Sequence, residues 1–247
     1  MEPKYRIHVL TTAQTVFSKS LFLYLIPDPG QMTIPSLFFY IEGAGKHILV
    51  DTGGEGEELR KNSQFGAPWK EVSSFKENLA RVGIAPDDVD IVIQTHLHFD
   101  HALNTRKCRN AKVYVQKNEI VQAKDPHPLT AQMYRWFEKV GRDLNYYIVD
   151  GNHQLLPGIE LLFVPGHSPG CQAVAVNTNR GKAIITGFCS ILENFDPLPP
   201  LKSLVPVICP GIHLNAVQAY ESLWRVKNMA DVILPMHEPS LIGVECI

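Results

Sequence analysis

Near its middle the chain passes from an unbroken apolar run, Ile91-Val92-Ile93, into Thr95-His96-Leu97-His98-Phe99-Asp100-His101. No other stretch constrains the fold as tightly. The apolar run reads as a buried strand, and four metal-capable side chains, His96, His98, Asp100 and His101, follow it within six residues. In extended geometry His96 and His98 project to the same side, and a turn then brings Asp100 and His101 to a neighbouring point. Neutral imidazoles with a carboxylate suit Zn, Fe, Mn or Ni. Asp100 can also accept a proton from a metal-bound water. A solvated loop after a strand is the plain alternative, and it suits a lone histidine far better than this run.

Two more strand-like segments each deliver a histidine. Ile159–Val164 leads into Pro165-Gly166-His167-Ser168-Pro169-Gly170, and Asp231–Leu234 leads into Pro235-Met236-His237-Glu238-Pro239. Glycine and proline fix tight turns at strand ends, where ligands are held better than on loose loops. Either histidine alone reads as a surface residue. Beside the first run, ligation is the better reading for both.

The rest of the pattern mixes hairpins with strand–helix units. Strands are predicted at Tyr5–Leu10, Ser36–Ile41, Lys46–Val50, Lys112–Gln116, Asn145–Val149, Gln172–Val176 and Lys182–Thr186. Gly43-Ala44-Gly45 and Asn179-Arg180-Gly181 read as hairpin turns. Helical spacing covers Glu71–Val82, the stripe Leu129, Met133, Trp136, Phe137 and Val140, and a last helix capped by Asn215. This order suits two mixed sheets packed face to face with helices outside, a four-layer αββα sandwich of the α+β class. With 247 residues, 45% hydrophobic and with no linker-like tract, the chain is expected to be one domain over 1–247, carrying a helical insertion at about 117–145. That insertion holds an aromatic cluster that reads equally well as core or as a lid over substrate.

A net charge of −2 argues against a nucleic-acid partner. The apolar runs fall far short of the roughly 20 residues that span a bilayer, so no membrane partner is expected. The five cysteines form no Cys-X-X-Cys pair, and the first residues lack a signal-peptide core. A cytoplasmic setting is expected on both grounds.

Asp51-Thr52-Gly53, His96-Leu97-His98-Phe99-Asp100-His101, Gly166-His167-Ser168-Pro169-Gly170 and His237, in this order, resemble the signature of the metallo-β-lactamase superfamily. The resemblance spans about residues 36 to 240. Within the superfamily, Ser190–Phe195 and Ile233–Pro239 look most like the N-acyl-homoserine lactonase branch. The resemblance implies the αββα fold with a metal site at one edge. It implies His96, His98 and His167 on one metal, and Asp100, His101 and His237 on a second. Asp51 would support the metal loop rather than bind. It implies two zinc ions, with iron or manganese as alternatives; one departure from the family would leave the second weakly held.

The chain departs from the family at one place. Members usually carry a bridging aspartate after the strand that precedes the last helix. Here that strand runs Ala183-Ile184-Ile185-Thr186-Gly187-Phe188-Cys189-Ser190, with Phe188 or Gly187 at the position. Cys189 is the nearest substitute, and a small buried thiol is its commoner fate. The lactonase branch also has a tyrosine shortly afterwards, where Ser190 is nearest here.

The function implied is a metal-dependent hydrolase in which a metal-bound hydroxide opens a lactone or related cyclic ester or amide. Asp100 is its candidate catalytic residue. The expected partner is a small, fairly apolar molecule, and the enzyme would act alone or as a homodimer. Two rivals stand beside this reading: a mononuclear iron enzyme of the same fold with sulfur or oxygen chemistry, and a non-catalytic binding member. His213, before the last helix, falls in a segment that edges the pocket in relatives.

Overall fold

The computed structural model describes residues 2–63 and 66–247. β1 (Arg6–Ser18) and β2 (Gln31–Glu42) form a long antiparallel pair, Arg6 opposite Glu42 and Ser18 opposite Gln31, with one irregularity between Thr11 and Ala13. The chain turns at Gly43–Gly45 into β3 (Ile48–Val50). Then come α1 (Gly56–Asn62), β4 (Lys70–Glu71), α2 (Phe75–Arg81), β5 (Ile91–Ile93), α3 (Phe99–Ala102), β6 (Lys112–Gln116), α4 (Lys117–Lys124) and β7 (Tyr146–Val149). These build a seven-stranded sheet in the order β4-β1-β2-β3-β5-β6-β7, parallel from β3 to β7.

The second half supplies β8 (His153–Leu156), β9 (Ile159–Phe163), β10 (Gln172–Thr178), β11 (Gly181–Ile185), α5 (Leu192–Phe195), α6 (Ala216–Met229) and β12 (Val232–Leu234). Its sheet runs β12-β11-β10-β9-β8, with β11 and β12 parallel.

Strand alternation sorts the core into layers. Ile91 and Ile93 face inward with Val9, Phe39 and Val50, against Leu161, Val174 and Ile185 of the other sheet. Val92 faces outward with Phe38 and Leu49, under Phe75 and Leu79 of α2. On the far side, Leu162, Ala173 and Ile184 pack under Leu223 and Val226 of α6. Each fully buried Leu or Val is worth about 1.5–3 kcal/mol relative to exposure. Helices therefore cover both outer faces of a sheet-on-sheet core, the αββα sandwich the pattern predicts.

The sequence places a helix over Glu71–Val82, but α2 begins only at Phe75. Ser74 accepts from the Glu77 N–H while Glu77 accepts from the Ser74 N–H, a capping box that sets the start. Glu71 is left to pair with Ala13 as part of β4. The stripe from Leu129 to Val140 is also not one helix. It forms a 3₁₀ turn at Ala131–Tyr134 and a π-turn at Phe137–Gly141. Met133, Tyr134, Trp136 and Phe137 are all buried while Leu129 is 73% exposed. These four positions would share one face of a regular helix too, so their burial is as expected and only the winding differs.

Candidate metal centre

The side chains singled out by sequence arrive at one edge of the sandwich from four strand ends. Asp51 follows β3, His96 and His98 follow β5, His167 follows β9, and His237 follows β12. Asp100 and His101 lie on α3, which opens directly after His98. Two groups result. The ligand atoms of His96, His98 and His167 lie within 4.8 Å of one another, as do those of Asp100, His101 and His237. The groups adjoin, since the His96 and His101 rings stand 4.1 Å apart. All five histidines are no more than 5% exposed.

Burial first, and then neighbouring histidines, hold His96 and His98 well below the usual imidazole range. Burial likewise brings His167 and His237 down to about 4. These rings are neutral near pH 7, so each offers a lone pair. Burial also opposes a charge on His101, but the Asp100 carboxylate and the bond to Asp51 outweigh it and raise its pKa.

Hydrogen bonds on the outer nitrogens fix which lone pair faces inward. His101 Nδ1 donates to Asp51 at 2.8 Å, His167 Nδ1 to the Ile212 carbonyl at 2.8 Å, and His237 Nδ1 to the Pro35 carbonyl at 3.3 Å. The Nε2 atoms of His96 and His167 then face each other at 3.2 Å. Two such lone pairs call for a cation between them. The donor chemistry thus fits one divalent ion in each group. Asp51 also accepts from the Thr95 N–H and hydroxyl, both at 2.7 Å, so one buried carboxylate ties α3 to the end of β5. Its φ of 57° is a left-handed conformation that aspartate tolerates.

Sequence reasoning missed Glu119, on α4. Fully buried, it accepts from the Leu97 N–H (2.9 Å), the Tyr134 hydroxyl (2.9 Å), the Ser168 hydroxyl (2.7 Å) and the Gly170 N–H (3.1 Å). It binds the His96–His98 loop to the His167 loop. The glycines of the latter have matching reasons. A Cβ on Gly166 would stand 2.3 Å from the Ala219 nitrogen of α6, and one on Gly170 would stand 2.2 Å from the Glu119 nitrogen. Trp136 completes the clamp by donating to the Leu97 carbonyl at 2.8 Å.

Neither position suggested for the missing aspartate faces the centre freely. Phe188 is fully buried in the layer between the second sheet and α6. A Cβ on Gly187 would meet the Gln172 carbonyl oxygen at 2.1 Å. Cys189 joins neither donor group among the described residues. Its thiol lies 3.7 Å from the Leu21 carbonyl, and burial pushes its pKa well up. Ser190 is buried, its hydroxyl 3.1 Å from that of Thr186.

His98, Asp100, His101, His167 and His237 form the floor of a pocket of about 540 Å³, mouth included. Phe17, Leu21, Phe22, Ile34, Trp69 and Met133 are among its walls. Only Met133 of these was flagged by sequence; the others come from the β1–β2 hairpin, its connecting loop and the segment before β4. The aromatic cluster at 131–141 thus divides: Met133 faces the pocket, while Trp136 and Phe137 are core.

The chain belongs to the metallo-beta-lactamase superfamily, whose domain matches residues 33–227. Within that class the proteins it is similar to include lactonases. It is 32% identical over 190 residues to the N-acyl homoserine lactonase AiiA of Bacillus thuringiensis subsp. kurstaki, covering 72% of this chain and 74% of that one. A quorum-quenching N-acyl homoserine lactone lactonase of known structure superposes with a TM-score of 0.78 at 25% identity, over 100% of both chains. An N-acyl homoserine lactone hydrolase with the product N-hexanoyl-L-homoserine at its catalytic metal centre superposes with 0.77 at 25% identity, again over 100% of both.

Proposed function

We propose that this chain is a metal-dependent hydrolase that opens the lactone ring of N-acyl homoserine lactones. The observation carrying the reading is a pair of adjoining, buried donor groups under an apolar pocket, in a chain whose relatives are lactonases. His96, His98 and His167 would hold one ion, and Asp100, His101 and His237 a second. Zinc suits three imidazoles, and iron or manganese are the alternatives. Such ions, when bound, supply an acidified water and a Lewis acid for the ester carbonyl.

The protein's own groups do the rest. Asp100 Oδ2 stands 3.7 Å from His101 Nε2 and 3.9 Å from His237 Nε2, at the pocket floor, where it can take a proton from water. Ser36 donates to the Asp100 carbonyl at 3.0 Å and fixes its backbone. The aromatic walls keep bulk water from the acyl chain. Net reaction adds one water across the ring ester, giving a carboxylate and the free hydroxyl of N-acyl homoserine.

Two donor groups and lactonase relatives favour this over a mononuclear iron enzyme or a non-catalytic binder. The reading extends to one domain over 1–247, whose 117–145 insertion supplies a pocket wall. It includes action on a small molecule in the cytoplasm, as a monomer or homodimer. Five free thiols accord with a reducing setting, and no helix among the described residues is long and apolar enough to cross a membrane. The test is to load the protein with zinc, iron or manganese and offer N-hexanoyl homoserine lactone. Ring opening, read as proton release and gain of one water by mass, is expected. Full metal content without ring opening would overturn the reading.

A further inference from the structure

A second pocket adjoins the first and shares His98, Met133, His167 and Ile212 as walls. Gly211, His213 and Leu214, from the segment before α6, also line it. This segment is firmly seated. The Ile212 N–H donates to the Leu21 carbonyl at 2.9 Å, and the Leu214 and Asn215 N–H groups donate to the Gly166 carbonyl at 2.8 and 3.1 Å. A Cβ on Gly211 would stand 1.9 Å from the Ser20 carbonyl oxygen, so the backbone there fits closely against its neighbour.

The His213 ring is held on two sides. Its Nδ1 donates to the Pro210 carbonyl at 2.7 Å, and the Tyr24 ring meets it edge to face at 4.6 Å. A carbonyl can only accept, so Nδ1 carries the proton. In the neutral ring, Nε2 is then a lone pair and nothing else. No described residue bonds it. The result is a pinned hydrogen-bond acceptor on the wall of a pocket that shares His98 and His167 with the candidate metal centre.

We propose that His213 is a specificity-determining, substrate-positioning residue whose Nε2 accepts the amide N–H of the substrate. This rests on the lactonase reading. An N-acyl homoserine lactone has one donor, the amide N–H; its ring ester and amide carbonyl only accept. An acceptor-only nitrogen therefore selects for the amide and not for the lactone ring. A substrate lacking the N–H leaves the site's acceptor unmatched, and a substrate bearing it holds its ring at a fixed distance from Asp100.

The test compares N-hexanoyl homoserine lactone, its N-methyl amide, and a γ-lactone with an alkyl chain of equal length, at matched metal content. Wild type is expected to prefer the N–H amide over the N-methyl amide by about tenfold in kcat/KM, mostly through KM, the scale of one hydrogen bond. His213→Phe keeps the ring edge for Tyr24 but has no acceptor. Its loss should be about tenfold greater on the N–H amide than on the alkyl lactone, and His213→Gln, which offers an amide oxygen near the Nε2 position, should restore part of the difference. Equal losses on the amide and the alkyl lactone, or no loss, would overturn the inference. Should the variants fail to fold, equal wild-type rates on the N–H and N-methyl amides would overturn it alone. A wild type that opens none of the three lactones overturns the lactonase reading itself.

Discussion

Glu119 shows how much one buried carboxylate can carry. Four donors converge on its two oxygens, from the loop bearing His96 and His98, the loop bearing His167, and Tyr134. Glu119→Ala would leave all four without a partner. Each buried donor left unsatisfied costs about 1–3 kcal/mol, so several kcal/mol are at stake. We expect a drop of that size in chemical denaturation, together with faster metal loss to a chelator. Metal retention equal to wild type would show that Glu119 does not brace the centre. Asp100→Asn is expected to act differently, costing more activity than metal, because the amide keeps an oxygen but cannot take a proton. Wild-type turnover at matched metal occupancy would reject that role. The donor histidines were legible because His96, His98 and His101 crowd into one short run after an apolar strand, and His167 and His237 lie in turns bearing Gly or Pro at the ends of apolar runs. Glu119 was not, because an acid in the first turn of a helix ordinarily has water as its partner, and nothing local marks it as buried.

Elements were read well where local pattern and tertiary demand agree. β6 matches its predicted span, Lys112–Gln116, and the Asn215 cap is present, its side chain accepting from the Gln218 N–H. They were misread where another force prevailed. β1 runs on to Ser18 because β2 pairs with it beyond the alternating part, a partner that no local window contains. The 131–141 segment winds as a 3₁₀ turn and a π-turn although its buried side chains keep helical spacing, a change that no local pattern marks. The pocket's aromatic walls were illegible because Phe17, Phe22 and Trp69 meet only once the hairpin is folded. The same layering decides what an aspartate would do at Phe188, one of the two positions where the family's bridging carboxylate would fall. Phe188 faces α6, so Phe188→Asp would bury an unpaired carboxylate in the wrong layer. The expected outcome is a loss of several kcal/mol, about 3–5 on the scale of an uncompensated buried charge, with no tightening of metal binding. Metal titration alongside denaturation separates the two, and a tighter second site would refute the layer argument.

At the scale of the whole molecule, four buried histidines make the metal-free protein sensitive to acid. His167 and His237 titrate from 6.5 down to about 4 on folding, and His96 and His98 are also lowered. The unfolded chain therefore binds more protons than the folded one in that window. Their contribution is complete above pH 6.5 and is lost as pH falls toward about 4. His101, whose pKa is raised, opposes this trend from a higher pH: its pairing helps below 6.5 and fades as pH rises through its folded value. Four lowered groups outnumber one raised group. Urea midpoints of the chelated protein should fall between pH 6.5 and 4, and a flat profile would contradict these burial effects.

The donors also come from both sheets. β5 of the first delivers His96 and His98, while β9 and β12 of the second deliver His167 and His237. His96 and His167 are 71 residues apart in sequence. At the same edge the Gln172 N–H donates to the Thr95 carbonyl at 2.8 Å, and its side chain reaches the Gln94 carbonyl. An ion seated there would act as a clasp on a hinged case. With it fastened, the two halves must open together; without it, that rim is closed by these amide bonds and by the Glu119 clamp. Amide hydrogen exchange should therefore converge to one cooperative opening for β5 and β9 in the loaded protein. After chelation it should split, the rim around Thr95 and Gln172 exchanging before the interior of either sheet. Identical exchange in the two states would mean that the ion closes nothing.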